Sequence, residues 1–180
     1  MKILVFNEKG GAGKTTLAVS LAVKLQLPLL DLDAQATASR WLERRTVKHA
    51  IADELSSDFV ADCRPGLSVD LSPFLAAADL VIVPVRASFS DLVTLSDTLK
   101  FVALHNSKVA LCGADIDTRS SDLELLSDAL KVYDLPFLGL FSHRASYRRA
   151  GLSGQTAAEL DKVAALELDV IVNNIRKFLK

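Results

Sequence analysis

The chain predicts an α/β fold, a mostly parallel, twisted sheet flanked by helices on both faces, formed by one domain over residues 1–180. Three observations predict it. Short apolar runs recur at residues 3–6, 27–32, 59–61, 80–85, 109–111 and 137–140, without the alternation of a half-exposed strand, as expected where both faces of a parallel sheet are covered. Between these runs lie segments with apolar residues three and four apart, the period of a helix. Strand alternating with helix is the α/β pattern, and 180 residues, 50% of them hydrophobic, suffice to bury its core.

Taken in order, the first strand (3–6) hands over through "NEKGGAGKTT" to a helix over residues 15–25, and a strand over 27–32 ends in "LLDLDAQ". The run at 59–61 leads into "DCRPGLS", whose Arg64-Pro65-Gly66 reads as a turn. The run at 80–85 precedes a helix carrying Leu92, Leu95, Leu99 and Val102, with Ser90 as its expected N-cap. Strands at 109–111 and 137–140 follow, then a turn expected at residues 151–154. A last helix sets Leu168, Ile171, Ile175, Phe178 and Leu179 along one face, with Arg176, Lys177 and Lys180 at its end.

Composition excludes several classes. With 21 basic and 22 acidic side chains the net charge is −1, so binding to nucleic acid would need a local patch and not the overall field. Cys63 and Cys112 lack metal-type spacing and a disulfide-rich context. No apolar run approaches the roughly 20 residues of a membrane span, and Met1-Lys2 leads directly into a strand with no signal-peptide pattern. A soluble, cytoplasmic protein is expected.

The chemistry is concentrated in the glycine loop. Gly10, Gly11 and Gly13 can take positive φ and lack side chains, so backbone N–H groups can surround an anion at the start of a helix. Gly10, Gly11, Ala12, Gly13, Lys14, Thr15 and Thr16 form the expected phosphate-binding set. Lys14 supplies charge to the β- and γ-phosphates, and the Thr15 hydroxyl can coordinate Mg²⁺. A plain flexible turn is the alternative. The motif departs from G-x-x-x-x-G-K-[ST] at its first position, which is Glu8, and adds Lys9.

"KGGAGKTT" closely resembles the deviant Walker A motif of the ParA/MinD family of P-loop ATPases. The resemblance implies ATP and Mg²⁺ as cofactors, and it gives Lys9 a role across a dimer interface, at the nucleotide of the other subunit. A lysine simply solvated in its loop is the alternative. "DLDAQ" resembles the family's D-x-D-P-Q stretch, with Ala34 in place of proline. That carries a water-positioning role onto Asp33, which could instead cap the following helix, while Asp31 reads as structural or as an outer-sphere support. "DFVADCRPG" looks like the Walker B strand and switch loop, which would give Mg²⁺ to Asp62; Asp79 precedes its strand and falls on the wrong edge of the sheet. "ADLVIVPV" followed by "SFSDL" also resembles a family strand and turn. The expected catalytic residues are Lys9, Lys14 and Asp33.

Cys112 falls where the family strand usually ends in an Asn near adenine, which leaves ATP over GTP resting on the resemblance. Two cysteines could supply a cluster shared by a dimer, as in iron–sulfur relatives, although buried free thiols are the commoner state. With no helix-turn-helix ahead of the first strand, the chain resembles the small, single-domain ParA kind. The expectation is a partition or cargo-positioning ATPase of plasmid or chromosome, whose ATP-dependent homodimer binds DNA without reading sequence, at the nucleoid. A ParB-like or other small adaptor would stimulate hydrolysis and release. Arg144, Arg148 and Arg149, with Tyr147, are the expected DNA-phosphate contacts, solvated charges being the alternative. A MinD-like membrane-associated ATPase and a metabolic or metal-maturation enzyme are the competing classes. The C-terminal stripe can pack on the sheet, which weighs against a membrane partner.

Overall fold

In the computed structural model, which describes residues 1–52, 58–106 and 108–180, the strands are β1 (Lys2–Val5), β2 (Leu29–Leu32), β3 (Phe59–Cys63), β4 (Leu80–Val85), β5 (Val109–Ile116) and β6 (Phe137–Ser142). They form one sheet in the order β2-β3-β1-β4-β5-β6, with every pairing parallel. The helices are α1 (Lys14–Leu25), α2 (Thr37–Glu43), α3 (Ser72–Ala77), α4 (Phe89–Ala103), α5 (Asp122–Tyr133), α6 (Ala145–Ser153), α7 (Ala157–Leu160) and α8 (Lys162–Phe178). This is the α/β architecture that the sequence predicts.

Successive strand residues serve opposite faces, because side chains alternate along a strand. Ile3 and Val5 pack with Val60, Leu80 and Ile82 under α1, α2, α6, α7 and α8. Leu4 and Phe6 pack with Ala61, Val81 and Val83 under α3, α4 and α5. The C-terminal stripe is spent on the first of these cores: Leu168, Ile171 and Ile175 are buried, and Phe178 and Leu179 pack against them. No helix among the described residues is long and apolar enough to cross a membrane.

Three local expectations change. β5 runs on to Ile116, because Gly113, Ala114 and Asp115 continue the strand without the β-branched residues that mark one in sequence. Ser88, not Ser90, caps α4: its hydroxyl accepts the Asp91 N–H at 3.2 Å, which leaves Ser90 inside the first turn. The turn expected at 151–154 is helical through Ser153 and closes at Gly154, whose left-handed φ of 72° ends α6. A Cβ at Gly154 would lie 2.5 Å from the Arg44 carbonyl carbon, so only glycine fits there.

The topology fixes where a ligand can sit. The chain leaves β1 for β2 on one side and later crosses to β4 on the other, so the strand order reverses at β1. The crevice at such a switch point, beyond the carboxyl ends of the strands, is the binding position of open α/β sheets. The glycine loop occupies it.

Candidate functional site

The loop leaves β1 through Asn7, which is 2% exposed. Its amide donates to the Pro84 carbonyl at 2.8 Å and its side-chain oxygen accepts the Lys9 N–H at 2.9 Å, so Asn7 ties the loop to the end of β4. Gly11 and Gly13 take left-handed φ values of 76° and 94°. Gly10 does not, contrary to expectation, and a Cβ there would meet nothing within 4 Å. Gly13 is doubly constrained, since its Cβ would also lie 3.0 Å from that of Ala114. It begins α1, which has neither a side-chain cap nor an acidic residue in its first turn. The first N–H groups of such a helix keep their capacity for an anion.

Lys14 is 7% exposed and its Nζ donates to the Lys9 carbonyl at 2.8 Å. Burial lowers its pKa, opposed by the nearby Asp62, Cys63 and Asp33. Asp62 pairs in register with Val5 on one side and Asp31 on the other, at the carboxyl edge of the sheet. It is 1% exposed, and among the described residues neither of its carboxylate oxygens has a hydrogen-bond partner. Burial pushes its pKa up to about 7, with Asp31 and Asp33 adding to the rise; the Thr15 hydroxyl and Lys14 oppose it. The Thr15 hydroxyl thus lies near Asp62 without meeting hydrogen-bond geometry.

A buried carboxylate with both oxygens unpartnered, beside a hydroxyl, is a fit for a hard cation. Thr15 and Asp62 would hold Mg²⁺, with water completing its shell, and the bound ion would neutralise charge on nucleotide phosphates. Asp31 is occupied by structure: its carboxylate accepts the Asp33 N–H at 3.2 Å and the Ser39 N–H at 2.8 Å. Asp33 follows β2, half-buried, and accepts the Gln35 N–H at 2.9 Å. It closes the turn before α2, whose N-cap is Ala36. Lys9 turns back over the start of α4, where its Nζ meets Asp91 at 2.8 Å.

A cleft of about 330 Å³ opens beside the loop, lined by Ala12, Gly13, Thr16, Ala114, Asp115 and His143 among others. It is large enough for a nucleoside. Cys112 is not at this rim. It is fully buried in the core, two residues short of the cleft, because β5 extends past the point where its sequence stops reading as a strand. The β5 residues that line the cleft are Ala114 and Asp115. Asp115 has a left-handed φ of 58°, accepts from Arg86, and lies 2.7 Å from His143 Nδ1. Both cysteines are buried free thiols whose pKa burial drives up.

The three arginines lie near one another: Arg144 and Arg148 line this cleft, and Arg144 and Arg149 line a second hollow beside it. Arg144 donates to Asp161 at 2.8 Å, a carboxylate that also caps α8 by accepting the Val163 N–H. Arg148 and Arg149 are exposed on α6, Arg148 at the rim of the nucleoside-sized cleft. Tyr147 points inward and donates to Glu167 at 2.9 Å. No spacing or motif in the sequence marks Asn7, Arg86, Asp91, Asp115 or His143 as members of this site. Asn7 alone carried any local signal, its place directly between strand and glycine loop.

A parallel sheet whose first strand passes through a glycine loop to an uncapped helix, with a lysine on the loop and a buried aspartate on the strand paired beside the first, defines a P-loop nucleotide-binding protein. The chain belongs to the CobQ/CobB/MinD/ParA nucleotide binding domain family, whose model matches residues 3–178. Maintenance of carboxysome distribution protein A of Gloeobacter kilaueensis is 34% identical over 119 residues, so this match spans 54% of the present chain and 54% of that relative. The protein of the same name from Halothiobacillus neapolitanus is 24% identical over 205 residues, covering 96% of this chain and 95% of its own. A putative plasmid partition protein of Borrelia burgdorferi, solved bound to AMPPNP, shares the fold with a TM-score of 0.80 at 22% identity, covering 98% of each chain.

Proposed function

We propose that the protein is a ParA-type positioning ATPase. Mg-ATP binds at the loop, the loaded chain dimerises and engages a matrix, and hydrolysis releases it. One observation carries this reading: two lysines, Lys9 and Lys14, share a loop that faces the unpartnered Asp62 carboxylate. A loop that only binds nucleotide needs the second of these cations, and Lys9 adds a charge that a partner's nucleotide can use. Phosphoryl transfer asks the protein mainly for positioning and charge stabilisation. In this reading Lys14 and the N–H groups from Gly10 to Thr16 hold the phosphates, and Asp33 orients the attacking water. Thr15 and Asp62 hold Mg²⁺, and Lys9 acts across the dimer.

The matrix in this reading is DNA, bound through phosphates by the exposed pair Arg148 and Arg149, with Arg144 held beside them by Asp161. The protein then works in the cytoplasm at the nucleoid, and a small adaptor of the ParB kind links it to cargo and stimulates hydrolysis. The names of the two relatives point to a protein assembly as one class of cargo, and that of the structural neighbour to a plasmid. Fluorescence anisotropy with two duplexes of unrelated sequence, with ATP or ADP over a salt series, tests this. ATP alone should give binding to both duplexes, falling steeply with salt. Replacing Arg148 and Arg149 by alanine should flatten the slope by about one unit per lost phosphate contact. Binding that is absent, or unchanged by nucleotide, would refute DNA as the matrix.

A further inference from the structure

Three neighbouring strands each deliver one polar, chargeable side chain to the rim of the nucleoside-sized cleft. Arg86 is the first residue after β4, Asp115 lies in β5, and His143 is the first residue after β6. The register of β5 against β6 shifts between Gly113 and Ile116, and within that irregularity Asp115 takes its left-handed φ of 58°. It is the one exposed residue of a strand that is otherwise buried. Its Oδ2 accepts from Arg86 Nη2, and its Oδ1 lies 2.7 Å from His143 Nδ1. An ionised carboxylate only accepts, so Nδ1 is the ring nitrogen that carries the proton. The His143 backbone N–H donates to the Ile116 carbonyl at 2.8 Å, which fixes the histidine beside this part of β5. The side chains of Arg86, Asp115 and His143 are 42%, 41% and 45% exposed, and ion pairs that open to water add little stability. The fold does not need this group of three, whereas a ligand in the cleft would meet all of it.

We propose that Asp115 selects adenine over guanine in the bound nucleotide, with Arg86 and His143 as the positioning residues that hold its carboxylate. The proposal rests on the reading of the loop as the nucleotide site of a positioning ATPase, and deepens it by naming what reads the base. Gly13 stands against Ala114, the residue before Asp115, so phosphates at the loop and a base in the cleft share one wall. The purines differ at position 6, where adenine carries an amino group that donates and guanine an oxygen that accepts. A carboxylate therefore receives the adenine amine and repels the guanine oxygen. Guanine can also offer a carboxylate two adjacent donors from its other nitrogens, but that fork needs both oxygens open along one edge. In Asp115 each oxygen already has a partner, Arg86 on one and His143 on the other, so a single donor is the better fit. Arg86 also sets a donor beside this acceptor, which matches the ring nitrogen that accepts next to the adenine amine. The same guanidinium offsets the cost of the carboxylate's charge once a base shuts out water.

The test is competition by Mg-ATP, Mg-GTP and tripolyphosphate against a ribose-labelled fluorescent ATP, with no DNA or adaptor present. Wild type should bind ATP roughly tenfold or more tightly than GTP, the scale of one hydrogen bond to a charged group. Asp115→Asn, whose amide can turn and donate to the guanine oxygen, should bring the two affinities within about threefold of each other by weakening ATP and strengthening GTP. Asp115→Gly removes the carboxylate, suits the left-handed φ and should level the affinities in the same way, which keeps the test open if the asparagine variant does not fold. Arg86→Ala should lower the ATP-to-GTP ratio by about threefold, because the carboxylate loses one of its two holds. Tripolyphosphate should compete equally well in every variant, since the phosphate loop is untouched. An unchanged ratio in a folded Asp115 variant overturns selection by Asp115, and an unchanged ratio in Arg86→Ala overturns the positioning role. A ratio that falls only together with tripolyphosphate binding marks a damaged loop and also counts against Asp115. Wild type that binds GTP as well as ATP overturns the selection while leaving the nucleotide site standing; wild type that binds neither overturns the positioning-ATPase reading itself.

Discussion

Asp62 should make the nucleotide- and metal-free protein less stable as pH rises, and Asp62→Asn should abolish that dependence. Burial lifts its pKa from the ordinary 3.8 to about 7. A raised folded-state pKa means that the native chain holds the proton more tightly than the unfolded one. The stabilisation is complete below pH 3.8 and is lost as pH rises through 7. At 1.36 kcal/mol per unit, the penalty on the native state is about 4 kcal/mol at a pH near 8 but only about 1 kcal/mol near 4.5. Asparagine does not titrate, and any cost of burying its amide is the same at both pH values. The difference in unfolding free energy between variant and wild type should therefore grow by about 3 kcal/mol from the lower pH to the higher. Urea denaturation in the presence of a chelator, followed by circular dichroism at both pH values, measures this. Parallel pH profiles for the two proteins would refute the assignment of Asp62 as a carboxylate stranded without its cation.

Two further outcomes bear on the loop and on hydrolysis. Lys14→Ala should abolish Mg-ATP binding in calorimetry, because backbone amides alone would face several phosphate charges; near-normal affinity would remove Lys14 from the phosphate site. Asp33→Ala should still bind ATP but hydrolyse it at least 100-fold more slowly and accumulate the ATP-bound dimer, as expected when a water-positioning group is lost and no phosphate ligand is touched. Wild-type turnover in that variant would reduce Asp33 to the turn that its contact with Gln35 N–H closes.

The features legible in the sequence are those whose cause is local. Six strands announced themselves as apolar runs because a parallel sheet covers both of its faces, and the glycine loop was legible because a left-handed φ at Gly11 and Gly13 demands that residue type. Where the cause lies across the chain, sequence spacing fails. β5 looked three residues long because Gly113, Ala114 and Asp115 are poor strand formers in isolation; Gly113 is required instead by the Leu140 side chain, whose Cβ would stand 2.7 Å from any Cβ placed there. That error moved the rim of the cleft from Ala114 and Asp115 back to Cys112. Lys9 and Asp91 are 82 positions apart, and nothing near either one marks the pair. They meet because β1 and β4 are neighbours in the sheet, so the loop after one lies against the helix start after the other. The same adjacency brings Asn7 to the Pro84 carbonyl. The sheet order thus does more than place a phosphate site at its switch point: it sets Lys9 of the loop against a carboxylate that only the folded chain can supply.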